Sequence, residues 1–135
     1  MKKIIALIIL AMTFNSCAQK VIINREVDST EYGKMLVGPQ GLSQFQKEPY
    51  KTWYDENYNI YSVDKTTLAD LKKEKLNSHS ITVFLGTWCS DSKKNFPRLI
   101  KILEESNYPK GKITIVGLNR KKQSPNGEEV KYNIS

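Results

Sequence analysis

The sequence contains few of the residues on which metal binding and covalent catalysis usually depend. Its 135 residues include two cysteines, Cys17 and Cys89, and a single histidine, His79. These are too few for a structural zinc site with four Cys/His ligands, and no metal-ligand cluster, phosphate-binding glycine loop or hydrolase triad is present. Two cysteines permit at most one internal disulfide, which excludes a disulfide-dense scaffold. We therefore predict no metal and no cofactor.

The remaining composition is that of one folded domain. Hydrophobic residues make up 39% and charged residues 26% of the chain, proportions typical of a globular protein. The net charge of +7 is spread over the sequence with acids interspersed, and the one local concentration is Arg120 with the two lysines after it, in a predicted loop. Such a loop attracts acidic partners weakly, and we predict no nucleic-acid binding.

The N-terminus has the pattern of an export signal. Lys2 and Lys3 precede an apolar run over residues 4–12, which is too short to cross a hydrocarbon core of about 30 Å. Ser16 before Cys17 resembles the lipobox of bacterial lipoproteins, although Phe14 stands where leucine is usual; looser versions are found in the Bacteroidetes. The resemblance implies a lipoprotein signal peptide over residues 1–16 and a lipidated Cys17 carrying acyl chains such as palmitate.

Two outcomes remain open for this N-terminus. Lipidation of Cys17 makes the protein a membrane-anchored lipoprotein facing the periplasm, while an ordinary signal is cut near Ser16 or Ala18. Export is expected in both. Residues 17–40 are poor in apolar clusters and interrupted by glycines, so we predict a lipidated cysteine and a tether there, followed by the folded domain over residues 41–135.

The folded part has the periodicity of an α/β domain. Aromatic residues over residues 44–61 recur mostly every three or four positions, which predicts a helix that carries a packing face or an aromatic ligand-binding box. Asp64 is a predicted N-cap for a helix over 65–76. Apolar runs over 81–85 and 113–118 predict strands buried on both faces, and a helix over 91–106 between them completes a βαβ unit.

The turn between the first of these strands and its helix resembles the active-site turn of the thioredoxin superfamily. Trp88 and Cys89 match the first half of that family's Trp-Cys-x-x-Cys motif, Pro97 lies where its proline follows, and Lys93 matches a frequent basic residue. The wider stretch resembles exported Bacteroidetes proteins with a Trp-Cys-x-Asp-Ser turn. The resemblance implies a thioredoxin-like βαβ core with N-terminal helices.

Two departures from the family pattern affect the expected function. Ser92 replaces the second cysteine, so a dithiol cycle is excluded and only monothiol exchange remains. Residues 131–134 resemble the segment before the family's cis-proline, so we expect a partial domain whose sheet is incomplete at the C-terminus. Either the chain is truncated or a partner supplies the missing layer.

Elementary chemistry gives the turn residues their expected roles. A thiol at a helix N-terminus faces unpaired N–H groups, which favour the thiolate. Ser92 is positioned to donate to the sulfur and Trp88 to cover it, whereas Asp91 either opposes the thiolate or caps the helix. We expect thiol–disulfide exchange through Cys89 with protein or small-molecule thiols and disulfides. The alternatives are an inert packed cysteine in a partner-binding lipoprotein, or a remnant without function.

Overall fold

A computed structural model of the chain describes residues 21–134. The predicted signal peptide and Cys17 lie outside this part. The described residues form four strands and four α-helices. In chain order these are β1 (Arg25–Ser29), β2 (Gly33–Gln40), α1 (Tyr50–Ile60), α2 (Lys65–Lys73), β3 (Ile81–Leu85), α3 (Ser90–Glu105), β4 (Ile113–Gly117) and α4 (Glu128–Lys131).

The strands form one mixed sheet in the order β1-β2-β4-β3. β3 and β4 are parallel, with Val83 opposite Ile115, and α3 connects them. β2 is antiparallel to both of its neighbours. The predicted strand–helix–strand order and the α/β class are therefore confirmed.

The prediction of a tether over residues 17–40 is wrong for residues 25–40. These residues form the β1–β2 hairpin, and β2 buries Met35, Leu36 and Val37. The glycines that suggested a flexible segment have structural roles instead. Gly33 (φ +68°) and Gly38 (φ +76°) adopt left-handed backbone conformations that other residues rarely tolerate.

The aromatic segment forms two helical pieces instead of one helix. A 3₁₀ turn over Leu42–Gln46 precedes α1, and Pro49 is the N-cap of α1. Phe45, Tyr50 and Tyr54 are buried in the main core, where the Phe45 ring lies 4.7 Å from that of Phe96 on α3. The packing-face interpretation of these aromatics is thus confirmed.

Helix α2 begins where the sequence predicted. The Asp64 carboxylate accepts a hydrogen bond from the Thr67 N–H at 2.7 Å, as expected for an N-cap. The helix ends at Lys73, three residues before the predicted Leu76, which instead opens a 3₁₀ turn over Leu76–Ser78.

Strand β3 differs from the prediction of a strand buried on both faces. It lies at one edge of the sheet, and only Leu85 of its five residues is buried. The Tyr132 ring lies 5.3 Å from that of Phe84. Within residues 21–134 no strand pairs with the outer edge of β3.

Candidate functional site

The candidate site lies at the carboxyl end of β3, where a tight turn leads into α3. The Cys89 N–H donates to the Gly86 carbonyl at 2.9 Å, and the Cys89 carbonyl accepts from the Lys93 N–H at 3.0 Å. Cys89 is therefore the N-cap of α3, with extended backbone angles (φ −88°, ψ 128°). Its side chain is held next to the unpaired N–H groups of the first helical turn of a 16-residue helix.

The Cys89 thiol is half-buried and free of any disulfide. The backbone N–H of Ser92 lowers the pKa of this thiol, against the effect of burial, which raises it. The Asp91 N–H and the Ser92 hydroxyl lower the pKa further, whereas the Asp91 carboxylate raises it. The net pKa lies below that of an ordinary cysteine, so the site favours the thiolate, the form that attacks disulfides.

Ser92 connects the two ends of the turn. Its Oγ accepts a hydrogen bond from the Gly86 N–H at 3.3 Å. This contact uses a lone pair and leaves the hydroxyl proton for the Cys89 sulfur. The hydroxyl is therefore oriented by backbone before any substrate arrives.

Trp88 packs against the backbone of the turn and of the segment that follows β4. Its Nε1–H donates to the Leu118 carbonyl at 2.9 Å. A Cβ atom on Gly86 would lie 2.6 Å from the ring carbon Cε2, so only glycine leaves room for the ring in this position. The hydrogen bond and the close packing fix the ring against Gly86 and Leu118.

Thr87 is a positioning residue that sequence reasoning missed. Its side chain is buried, and its Oγ1 accepts a hydrogen bond from the Leu36 N–H at 3.1 Å. This bond joins the turn between β3 and α3 to β2 across 51 positions of sequence. No local pattern reveals such a partner, because it depends on the β2 hairpin that the sequence did not predict.

Arg120 and Tyr32 are two further residues whose proximity to the turn the sequence did not indicate. The Arg120 guanidinium lies 3.9 Å from the centre of the Tyr32 ring and 5.3 Å from that of Trp88. Tyr32 belongs to the β1–β2 turn, and Arg120 follows β4. The basic loop was visible in the sequence, but its position beside Trp88 depends on the sheet order.

Other candidate features lie away from the turn. His79 precedes β3 at the end opposite Cys89, and its carbonyl accepts from the Tyr108 hydroxyl. Residues 21–134 contain no group of three or more His, Cys, Asp or Glu side chains placed to hold a metal ion. In the same part of the chain, no helix is both long and apolar enough to span a membrane.

Comparison of the chain with protein-family models, curated proteins and solved structures finds no match. The turn contains one thiol and a set of hydrogen-bond donors that stabilise its anion. Residues 21–134 contain no second thiol.

Proposed function

We propose that this chain is an exported thioredoxin-like protein that performs monothiol thiol–disulfide exchange through Cys89. One observation carries the proposal: a half-exposed thiol stands at the N-cap position of a 16-residue helix, and the Ser92 N–H lowers its pKa. A cysteine kept only for packing has no need of a donor set that stabilises its anion. The βαβ unit with a Trp-Cys turn at the head of its helix supports the thioredoxin-like assignment.

The proposed reaction is a two-step exchange. The Cys89 thiolate attacks one sulfur of a substrate disulfide, so that a new S–S bond forms on Cys89 while the substrate S–S bond breaks. The electron pair of the broken bond leaves with the departing thiolate. A second thiolate from solution then attacks the mixed disulfide and restores the Cys89 thiolate. Ser92 offers no sulfur for an internal second step, so an external thiol is required.

The proposed location follows from the N-terminal signal. We place the domain at a membrane surface facing the periplasm, held by acyl chains on Cys17. Two chains make a stable anchor, whereas one alone is marginal. Labelling of cells with a palmitate analogue tests this proposal: the full chain should incorporate label, and a Cys17→Ser chain should not. Equal labelling of both chains would contradict it.

The exchange reaction is tested on the full chain carrying Cys17→Ser, in which Cys89 is the only thiol. The chain is mixed with hydroxyethyl disulfide at pH 7, and mass spectrometry follows the mixed disulfide and its release by 2-mercaptoethanol. We expect faster modification than in the same chain unfolded in urea, because the folded thiol has the larger thiolate fraction. The Cys17→Ser, Cys89→Ser double variant is the control. A folded rate equal to or below the unfolded rate would overturn the proposal.

A further inference from the structure

The cation beside the active turn is held in a defined position. Asn119 Oδ1 accepts hydrogen bonds from the N–H groups of Lys121 and Gln123, at 2.9 and 3.0 Å, which fixes the loop on both sides of Arg120. The guanidinium then lies over two aromatic rings, that of Tyr32 and that of Trp88. Cation–π contacts of this kind restrict where the charge can move.

This positive charge is not neutralised by the protein. Within residues 21–134 Arg120 forms no ion pair with an acidic side chain. The Glu31 side chain raises the pKa of the Tyr32 hydroxyl, whereas the charge of Arg120 lowers it. Trp88 directly precedes Cys89, and the guanidinium lies 5.3 Å from the centre of the Trp88 ring, so the charge stands on the Trp88 side of the turn.

The turn itself carries charges of both signs. The Cys89 thiolate and the exposed Asp91 carboxylate repel an incoming anion, whereas Lys93 in the first turn of α3 attracts it. A further fixed cation beside the turn favours a substrate that carries carboxylates. Arg120 supplies such a cation on the Trp88 side of the turn.

We propose that Arg120 is a specificity-determining residue, which favours reaction of Cys89 with low-molecular-mass thiols and disulfides that carry carboxylates. The inference rests on the proposed thiol–disulfide exchange. In the step concerned, the Cys89 sulfur bonds to one substrate sulfur, the substrate S–S bond breaks, and its electron pair leaves on a carboxylate-bearing thiolate. Arg120 acts on the charge of the substrate. The groups that shift the pKa of Cys89 belong to the turn itself: the N–H groups of Ser92 and Asp91, the Ser92 hydroxyl and the Asp91 carboxylate.

The test uses three aliphatic disulfides of similar size and different charge: dithiodipropionate (anionic), hydroxyethyl disulfide (neutral) and cystamine (cationic). Second-order rate constants are measured at low ionic strength for the Cys17→Ser full chain with and without Arg120→Gln. We expect Arg120→Gln to slow the anionic disulfide about two- to fivefold and to speed the cationic one. The neutral disulfide should react at an unchanged rate, and high salt should reduce both effects.

Two matched variants complete the test. Arg120→Lys keeps the charge and should retain most of the anionic rate. Lys75→Gln removes an exposed charge near the opposite end of α3 and should change none of the three rates. The inference is overturned if Arg120→Gln leaves the anionic rate unchanged, or if it changes all three rates alike, as a purely structural role would.

Failure of the proposed exchange gives a different pattern of rates from failure of the Arg120 inference. In that case the neutral disulfide reacts no faster with the folded chain than with the urea-unfolded chain. The ratio of anionic to neutral rates still reports on Arg120, because that ratio does not depend on how reactive the thiol is.

Discussion

The hydrogen bond from the Leu36 N–H to Thr87 Oγ1 attaches the turn between β3 and α3 to β2. Replacing Thr87 by valine keeps the shape of the side chain and removes only the acceptor. Both residues are buried, at 3% exposure for Thr87 and 1% for Leu36, so water cannot replace the lost partner. A buried N–H group without a partner costs about 1–3 kcal/mol. We therefore expect Thr87→Val to lower the free energy of unfolding by about 2 kcal/mol.

This loss is measurable by equilibrium urea unfolding of the full chain, followed by circular dichroism. With a slope of about 2 kcal/mol per molar urea, the midpoint should fall by about 1 M. Thr114→Val is the matched control, because Thr114 lies exposed on β4 and makes no side-chain hydrogen bond within residues 21–134. Its effect should stay within about 0.5 kcal/mol. Equal midpoints for the two variants would refute the assigned role of Thr87.

Four further predictions concern the turn. Ser92→Ala should raise the pKa of Cys89, because a hydroxyl donor to the thiolate is lost, and Asp91→Asn should lower that pKa, because a nearby negative charge is lost. Thiolate absorbance measured against pH gives both pKa values. A shift in the opposite direction in either variant contradicts the assigned role of that residue. Ser92→Cys should create an internal disulfide with Cys89, seen as a loss of free thiols in the Cys17→Ser chain on mild oxidation, whereas Ser90→Cys, on the exposed side of the helix start, should keep its thiols free. Gly86→Ala should displace the Trp88 ring and cost about 1–3 kcal/mol in urea unfolding; an unchanged midpoint contradicts the close contact. Because folding lowers the pKa of the thiol, the free energy of unfolding of the chain should rise relative to that of its Cys89→Ser variant as pH increases from below the folded pKa to above about 8.5. The difference should disappear again as pH falls through the folded pKa.

The parts of the fold that were predictable are those with strong local patterns. β3, α3 and β4 followed from a short apolar run, an amphipathic stretch and a second apolar run, and Asp64 followed from capping preference. The hairpin over residues 25–40 was missed because its glycines were interpreted as flexible. Glycine serves equally well where a strand needs a left-handed residue, as at Gly33 and Gly38, and the sequence does not distinguish the two uses.

The residues of the candidate site were likewise predictable only where their positions depend on local sequence. The position of Cys89 at the head of α3 and that of Ser92 one turn later depend on local sequence, so they were predictable. Thr87 and Arg120 act across the sheet, through partners on β2 and on the β1–β2 turn. Such contacts require the strand order, and the strand order depended on the hairpin that was not predicted. The strand β3 was predicted, but its edge position was not, because an apolar run does not reveal whether a strand is central or at an edge.

The most direct test of the account is the pKa of Cys89 in the folded Cys17→Ser chain. Iodoacetamide alkylation rates across a pH series, followed by mass spectrometry, give this pKa, and the same series in urea gives the value for the unfolded chain. We expect a folded pKa clearly below the unfolded one, because the Ser92 N–H and the start of α3 stabilise the thiolate. A folded pKa equal to or above the unfolded value would contradict it.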